Sequence, residues 1–214
     1  MPGLAGRAGF DEWPETPVLG SCRLRLEPLR VEHAEEMASL LDDPELHRLI
    51  GGRPASLPEL RDSYCRQVVG RSPDGSQRWL NWVVRRATDS QAVGTVQATV
   101  AGDTGGLVAE VAWVVATACQ AQGYAREAAG AMVAWFRCQG VTTVVAHVHP
   151  DHRASSAVAA AVGLSPTTLM EEGEARWEGR AALDPPVGLT CHAITVVLRW
   201  SGAVSTRPAV NGIG

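Results

Sequence analysis

The stretch that most constrains the fold is residues 109–136, AEVAWVVATACQAQGYAREAAGAMVAWF. Its opening is apolar apart from Glu110 and crowded with β-branched side chains, so it reads as a strand ending near Val115. Its second half repeats Ala125, Ala128, Ala129, Met132, Val133 and Phe136 at helical spacing, which predicts a helix over about 122–137. Between them lies Gln120-Ala121-Gln122-Gly123-Tyr124-Ala125, with small residues at 123 and 125, where backbone can come close to another group. The first N–H groups of a helix have no internal partner, and the helix dipole adds positive potential there, so this end can take phosphate oxygens. The Gly-Lys-Ser/Thr of a Walker loop is absent, as is an early Gly-x-Gly-x-x-Gly. The residues alone leave two readings: a phosphate-binding loop, or a tight strand-to-helix connection without a ligand.

The neighbouring elements narrow the architecture. Residues 1–20 are rich in Gly and Pro and have no period, which predicts a loose arm. Residues 22–29 alternate Leu24, Leu26 and Pro28 against Arg23, Arg25 and Glu27, the pattern of a half-buried strand. Val31, Ala34, Met37, Ala38, Leu40 and Leu41 make a helical stripe that stops at Asp42-Asp43-Pro44. A second helix is expected over 58–69, with Pro58 in its first turn, and residues 72–75 form a turn. Strands over 79–86, 92–100 and 108–115 follow with short breaks, which favours antiparallel pairing. After the central helix come a strand over 141–149 and an Ala-rich helix over 153–162 closed by Gly163. Two last strands, near Arg176 and over 193–200, flank a Pro/Gly loop, and 201–214 reads as a tail. The order β-α-α-β-β-β-α-β-α-β-β predicts an α/β (α+β) fold: a mixed, mostly antiparallel central sheet with helices on both faces. One domain, 21–200, is expected.

Composition sets limits on partners. A chain of 214 residues, 45% hydrophobic and 20% charged, suits one soluble globular domain. The net charge of -4 gives no electrostatic pull toward nucleic acid, and every basic residue is Arg, with no Lys. No apolar run approaches the roughly 20 residues of a membrane span, and residues 1–13 lack a signal-peptide layout. The five cysteines, Cys22, Cys65, Cys119, Cys138 and Cys191, have no Cys-x-x-Cys pair and suggest free thiols in the cytoplasm. His147, His149 and His152 lie close in sequence without a zinc spacing, so no metal is expected; they read as packed histidines or weak acid–base groups near a cleft. Glu110 alternates with Ala112 and Val114 on one strand face, and such a carboxylate needs a partner or a function unless it sits in solvent at a strand end.

Gln120-x-x-Gly123-x-Ala125 matches the Gln/Arg-x-x-Gly-x-Gly/Ala motif of the GNAT acetyltransferases. LRLEPLRVEHAEEMASLLDD, residues 24–43, resembles that family's opening strand and helix, and VHPDHRASSAVAAAVGL, residues 148–164, its later strand-loop-helix. The resemblance spans roughly 22–197 and is closest to the branch of ribosomal-protein N-terminal acetyltransferases, with antibiotic-modifying relatives. It implies the acyl-CoA N-acyltransferase fold, acetyl-CoA as co-substrate without a metal, and transfer to a primary amine, a protein N-terminus or a small molecule, in one ternary complex. Gln120, Ala121, Gln122, Gly123, Tyr124, Ala125 and Arg126 would form the pyrophosphate loop, the backbone of Trp113, Val114 and Val115 would pair with the pantetheine arm, and His152 would make a further coenzyme contact. Ser155 would assist the departing thiolate, and Glu110 would face the acceptor as the base. The sequence departs from the family at His152, where Asn is usual, and at Leu164, where Phe is usual. Trp79 and Trp82 are candidate linings of an acceptor pocket, which the loop 179–192 could help to shape. Two further readings stay open: antibiotic acetylation for self-resistance, and a non-catalytic acyl-CoA sensor, favoured by His152. The expected partners are acetyl-CoA and an amine acceptor, with homodimerisation open and neither nucleic acid nor membrane.

Overall fold

The computed structural model describes residues 13–180 other than 51 and 104. The expected strand at 193–200, the tail at 201–214 and Cys191 lie outside the described residues.

The strands are β1 (Leu19–Gly20), β2 (Leu24–Pro28), β3 (Gln77–Arg86), β4 (Ala92–Asp103), β5 (Gly106–Val115), β6 (Val141–Val148), β7 (Ser165–Glu171) and β8 (Glu174–Arg180). They form one eight-stranded sheet in the order β1-β2-β3-β4-β5-β6-β8-β7. Every pairing is antiparallel except β5 with β6, as expected of a mixed, mostly antiparallel sheet. The helices are α1 (Ala34–Leu40), α2 (Pro44–Ile50), α3 (Leu57–Gln67), α4 (Tyr124–Cys138) and α5 (Arg153–Ala161).

Alternation along the strands sorts side chains onto two faces. Leu24, Leu26, Leu80, Trp82, Val84, Ala98, Val100, Ala109 and Val111 bury against the α4 stripe of Ala128, Ala129, Met132, Val133 and Phe136, and α5 adds Ala159. On the opposite face Val83 packs with Met37 and Ala34 of α1 and Tyr64 of α3. Helices therefore cover both faces, but α1 and α3 cover theirs only at the β2–β4 end.

Local sequence sets several boundaries. Ser56 caps α3: its hydroxyl and N–H both donate to Glu59 Oε2, at 2.7 and 2.8 Å, and Pro58 sits in the first turn. The first helix ends before Asp42-Asp43-Pro44 as expected, at Leu40, and Pro44 then opens α2, which was not expected; Asp43 accepts the Glu45 N–H at 2.9 Å. Residues 13–20 depart from a loose arm. Leu19 and Gly20 pair with β2, Trp13 stacks on Trp135 at 6.3 Å, and the Trp82 indole donates to the Pro17 carbonyl at 2.7 Å.

Candidate active site

The site begins where the sheet comes apart. β5 and β6 pair in parallel only from Leu107↔Val141 to Glu110↔Val145. Beyond Glu110, β5 stays on β4 as far as Val115↔Gly94, while β6 stays on β8 as far as Val148↔Ala175. Each strand follows its outer neighbour, so the two splay and residues 111–115 keep a free edge inside the sheet. Trp113, Val114 and Val115 lie on that edge. Gly94 helps to create it: a Cβ there would sit 2.1 Å from the Val114 carbonyl oxygen, so only glycine lets β4 draw the end of β5 so close. An extended ligand of suitable width can add to such an edge as a strand.

At the open end of β5 the chain turns into α4. The Ala116 N–H donates to the Val93 carbonyl at 2.9 Å, a 3-10 turn covers Thr117–Cys119, and the Gln120 amide donates back to the Val115 carbonyl at 3.1 Å. Ala121 and Gly123 both have positive φ, 59° and 80°, and Gly123 is the N-cap of α4 with no side chain to cap it. The N–H groups of Tyr124, Ala125 and Arg126 therefore head a long helix without a capping partner. A Cβ at Gly123 would meet only Arg23 Nη2, at 3.5 Å. The glycine requirement visible here is thus the left-handed φ rather than crowding by protein atoms. Glu127, one turn in, is occupied elsewhere: it accepts from the Ser21 hydroxyl at 2.8 Å, the Arg23 N–H at 2.8 Å and Arg23 Nε at 2.7 Å. Burial pushes its carboxyl up, but those donors prevail and hold it below the usual range. The Arg23 guanidinium also donates to the Gln122 carbonyl at 3.1 Å and lies over the Tyr124 ring. The loop is thus fixed and open at its N–H groups, which fits a diphosphate.

Across the mouth stands α5. His152 is its N-cap, and Nδ1 accepts the Ser155 N–H at 3.4 Å. Burial and the nearby His149 hold the imidazole below its ordinary pKa, which keeps Nδ1 an acceptor. His152 therefore does the capping work that an Asn side chain can do. The Trp113 indole N–H lies 3.4 Å from Ser155 Oγ and donates to it, so the two groups flank the opening and the hydroxyl proton is free to point elsewhere.

Glu110 sits on the other face, at the last paired position before the splay. Its side chain is 53% exposed, and Oε1 lies 3.3 Å from His147 Nδ1 on β6. Register places Trp79, Thr99 and Glu110 in one row, with Asn81, Gln97 and Ala112 in the next. This polar strip runs from the α1–α3 layer to the β7–β8 hairpin. Trp79 is buried beside Val68 and borders a cavity of about 510 Å³ shared with Trp13, Leu29 and Asn81. Trp82 does not line an acceptor pocket. Its side chain points to the α4 face and is fully buried, because an indole between Trp135 and Phe136 removes more apolar area from water than one at a cleft wall. Of the loop 179–192, Gly179 and Arg180 belong to β8 and the rest lies outside the described residues.

Sequence reasoning passed over His147 as a partner of Glu110 and did not find Glu171, whose Oε2 lies 3.3 Å from His147 Nε2. His147 shares a face with Val145, and Val145 stands opposite Glu110, a signal available only once the β5–β6 register is known. Among the described residues no group of His, Cys, Asp and Glu is placed to hold a metal ion, and no helix is long and apolar enough to cross a membrane.

A splayed parallel pair, a glycine-led helix N-terminus at its mouth and a carboxylate on the facing sheet surface coincide with a match of the acetyltransferase (GNAT) domain family to residues 23–165. The chain belongs to the GNAT acetyltransferases. Solved structures of this fold superpose over most of its length. The ribosomal L7/L12 α-N-protein acetyltransferase RimL, in complex with coenzyme A, is 15% identical with a TM-score of 0.63, covering 78% of this chain and 99% of its own. The GNAT domain of S. lividans PAT is 20% identical with a TM-score of 0.60, covering 79% and 99%. A spermidine N-acetyltransferase SpeG chimera from Vibrio cholerae and hSSAT is 17% identical with a TM-score of 0.57, covering 74% and 95%. No curated protein sequence matches the chain at a significant level.

Proposed function

We propose that this GNAT protein transfers an acetyl group from acetyl-CoA to a primary amine, a protein N-terminal α-amine or a small-molecule amine, by direct attack in a ternary complex. The observation that carries this reading is the free β5 edge that opens beside the uncapped N-terminus of α4. The N–H groups from Gln122 to Arg126 would take the pyrophosphate, and the backbone of residues 113–115 the pantetheine arm. RimL, which has this fold, is held with coenzyme A.

The thioester carbonyl would then lie near the point of divergence, between Glu110 on one face and Ser155 on the other. A neutral amine is the nucleophile. At pH 7 deprotonation costs about 4.6 kcal/mol for an alkylammonium and only about 1 kcal/mol for an α-amino group. Glu110, directly or through water, removes that proton. The new N–C bond forms as the carbonyl electrons move onto oxygen. The C–S bond then breaks as the Ser155 hydroxyl, held by the Trp113 N–H, donates toward the leaving sulfur. The free thiols of Cys22, Cys65 and Cys119 suit a cytoplasmic setting.

Release of free coenzyme A thiol from acetyl-CoA, followed with a panel of peptides, polyamines and aminoglycosides, tests the reading. Acceptor-dependent release with one class defines the substrate. Tight acetyl-CoA binding with no release for any amine would convert the reading to a coenzyme-binding domain.

A further inference from the structure

His147 is packed between two carboxylates from different parts of the chain. Its side chain is only 8% exposed, with Nδ1 3.3 Å from Glu110 Oε1 and Nε2 3.3 Å from Glu171 Oε2. Nε2 is buried and makes no well-angled hydrogen bond. Glu110 comes from β5 and Glu171 from the end of β7, which reaches back over β8 to the same face. Two charged groups of β8 complete the surroundings: Arg176, beside His147 in the ladder and 3.9 Å from Glu171, and Glu178, which engages Arg176 at 3.0 Å. A neutral imidazole has one N–H and can satisfy one carboxylate; an imidazolium has two and can satisfy both. The arrangement therefore has a place for one more proton than it holds with a neutral imidazole.

We infer that Glu110, His147 and Glu171 accept the amine's proton as one unit, with His147 and Glu171 relaying it from the acceptor to solvent. This rests on the acetyl-transfer reading above and deepens it. The ammonium N–H bond breaks, and its electron pair stays on nitrogen as the nucleophile. The proton passes by way of Glu110 to Nδ1, giving an imidazolium bracketed by carboxylates. The Nε2 proton then leaves to Glu171, which is 52% exposed, and from there to water. The balance is one proton moved from ammonium to water, with no oxidant or reductant.

The experiment compares Glu110→Gln, His147→Gln, Glu171→Gln and the double variant Glu110→Gln/His147→Gln in single-turnover thiol release with saturating acetyl-CoA. Glu110→Gln is expected to slow transfer roughly 10²–10⁴-fold, and each relay variant at least about tenfold. Acetyl-CoA affinity should be unchanged. In Glu171→Gln the acid limb of kcat/KM should move to lower pH, because an acceptor of the proton has lost its charge. The double variant should be no slower than Glu110→Gln alone, as for groups that act together. An amine already neutral at the assay pH should lose least. Full rate and an unmoved acid limb in both His147→Gln and Glu171→Gln, with Glu110→Gln slow, would overturn the relay and leave acetyl transfer standing. No release from the unaltered protein with any amine would instead sink the functional reading. Nitrogen-15 spectra of the histidine rings give a readout independent of turnover: Glu171→Gln and Glu110→Gln should each perturb both ring nitrogens of His147. Unchanged ring signals in both variants overturn the coupling even if His147→Gln fails to fold.

Discussion

At the residue scale the site rests on a few positions whose chemistry differs in kind. Gly123 supplies a conformation. With φ at 80° a β-branched side chain is strained there, and it would also stand before the N–H groups of α4. Gly123→Val is expected to raise the acetyl-CoA dissociation constant at least about tenfold, or about 1.4 kcal/mol, in calorimetric titration. Gly123→Ala, strained but smaller, should lose less. Ser155 is the proton donor of the proposed reaction. Ser155→Ala should cost ~1–3 kcal/mol in the chemical step with coenzyme affinity nearly intact. A wild-type single-turnover rate would reduce Ser155 to part of the helix start, where its N–H already meets His152. The places of the loop, Ser155 and Glu110 on their elements were legible in the sequence because each depends on local phase: a strand end, a helix start, an alternation. His147 with Glu171 was not, since Cα partners such as His147↔Arg176 follow from register between distant segments.

At the element scale, stability is written in caps and in anchors to the sheet. The capping box of α3 is also a pH device. Hydrogen bonds from Arg53, then from Ser56, hold the Glu59 carboxyl at about 2. A carboxyl depressed in the folded state stabilises fully above its unfolded value, near ~4.3, and that contribution fades as pH falls toward the folded value. α3 should therefore loosen between roughly pH 4.3 and 2, seen as a decline in helical circular dichroism. Glu59→Gln should flatten that dependence while lowering helix content at neutral pH. Among the elements, α3, α4, α5 and β2–β6 were legible from period and turn chemistry. α2 was not, because Pro44 was weighed as a stop when Asp43 before it makes it a start. β7 was not, because its residues are almost all exposed and its pairing with β8 slips between Pro166 and Met170, which leaves no alternation to read.

At the scale of the whole molecule, a charged network joins the helical layer to the sheet. Arg85 of β3 binds Glu27 of β2 through Nε at 2.6 Å and Glu36 of α1 through both terminal nitrogens. Burial raises the Glu27 carboxyl, yet Arg85 and Arg30 outweigh it and keep it below the usual range. Arg85→Met leaves that carboxylate with Arg30 as its remaining cationic partner, so the loss should be about 2 kcal/mol, a fall in Tm of roughly 4–8 °C by calorimetry. Glu27→Gln in the same chain should lose less than it does with Arg85 present, since the two side chains act on each other. The order of β2 to β6 with α1, α3, α4 and α5 was legible from hydrophobic period and turn residues, whereas the sheet's opening was not: it depends on Gly94 admitting the Val114 carbonyl from the next strand. That opening also bears on how the protein resists aggregation. Sheets grow into aggregates by adding foreign strands along exposed edges. Among the described residues the outer edges are the two-residue β1 and the irregular β7, both poor templates, while the free run at 111–115 faces inward across a cleft. A neighbouring chain cannot lie alongside it without entering the mouth, so the edge most able to form new backbone hydrogen bonds is reserved for a guest as narrow as a single extended arm.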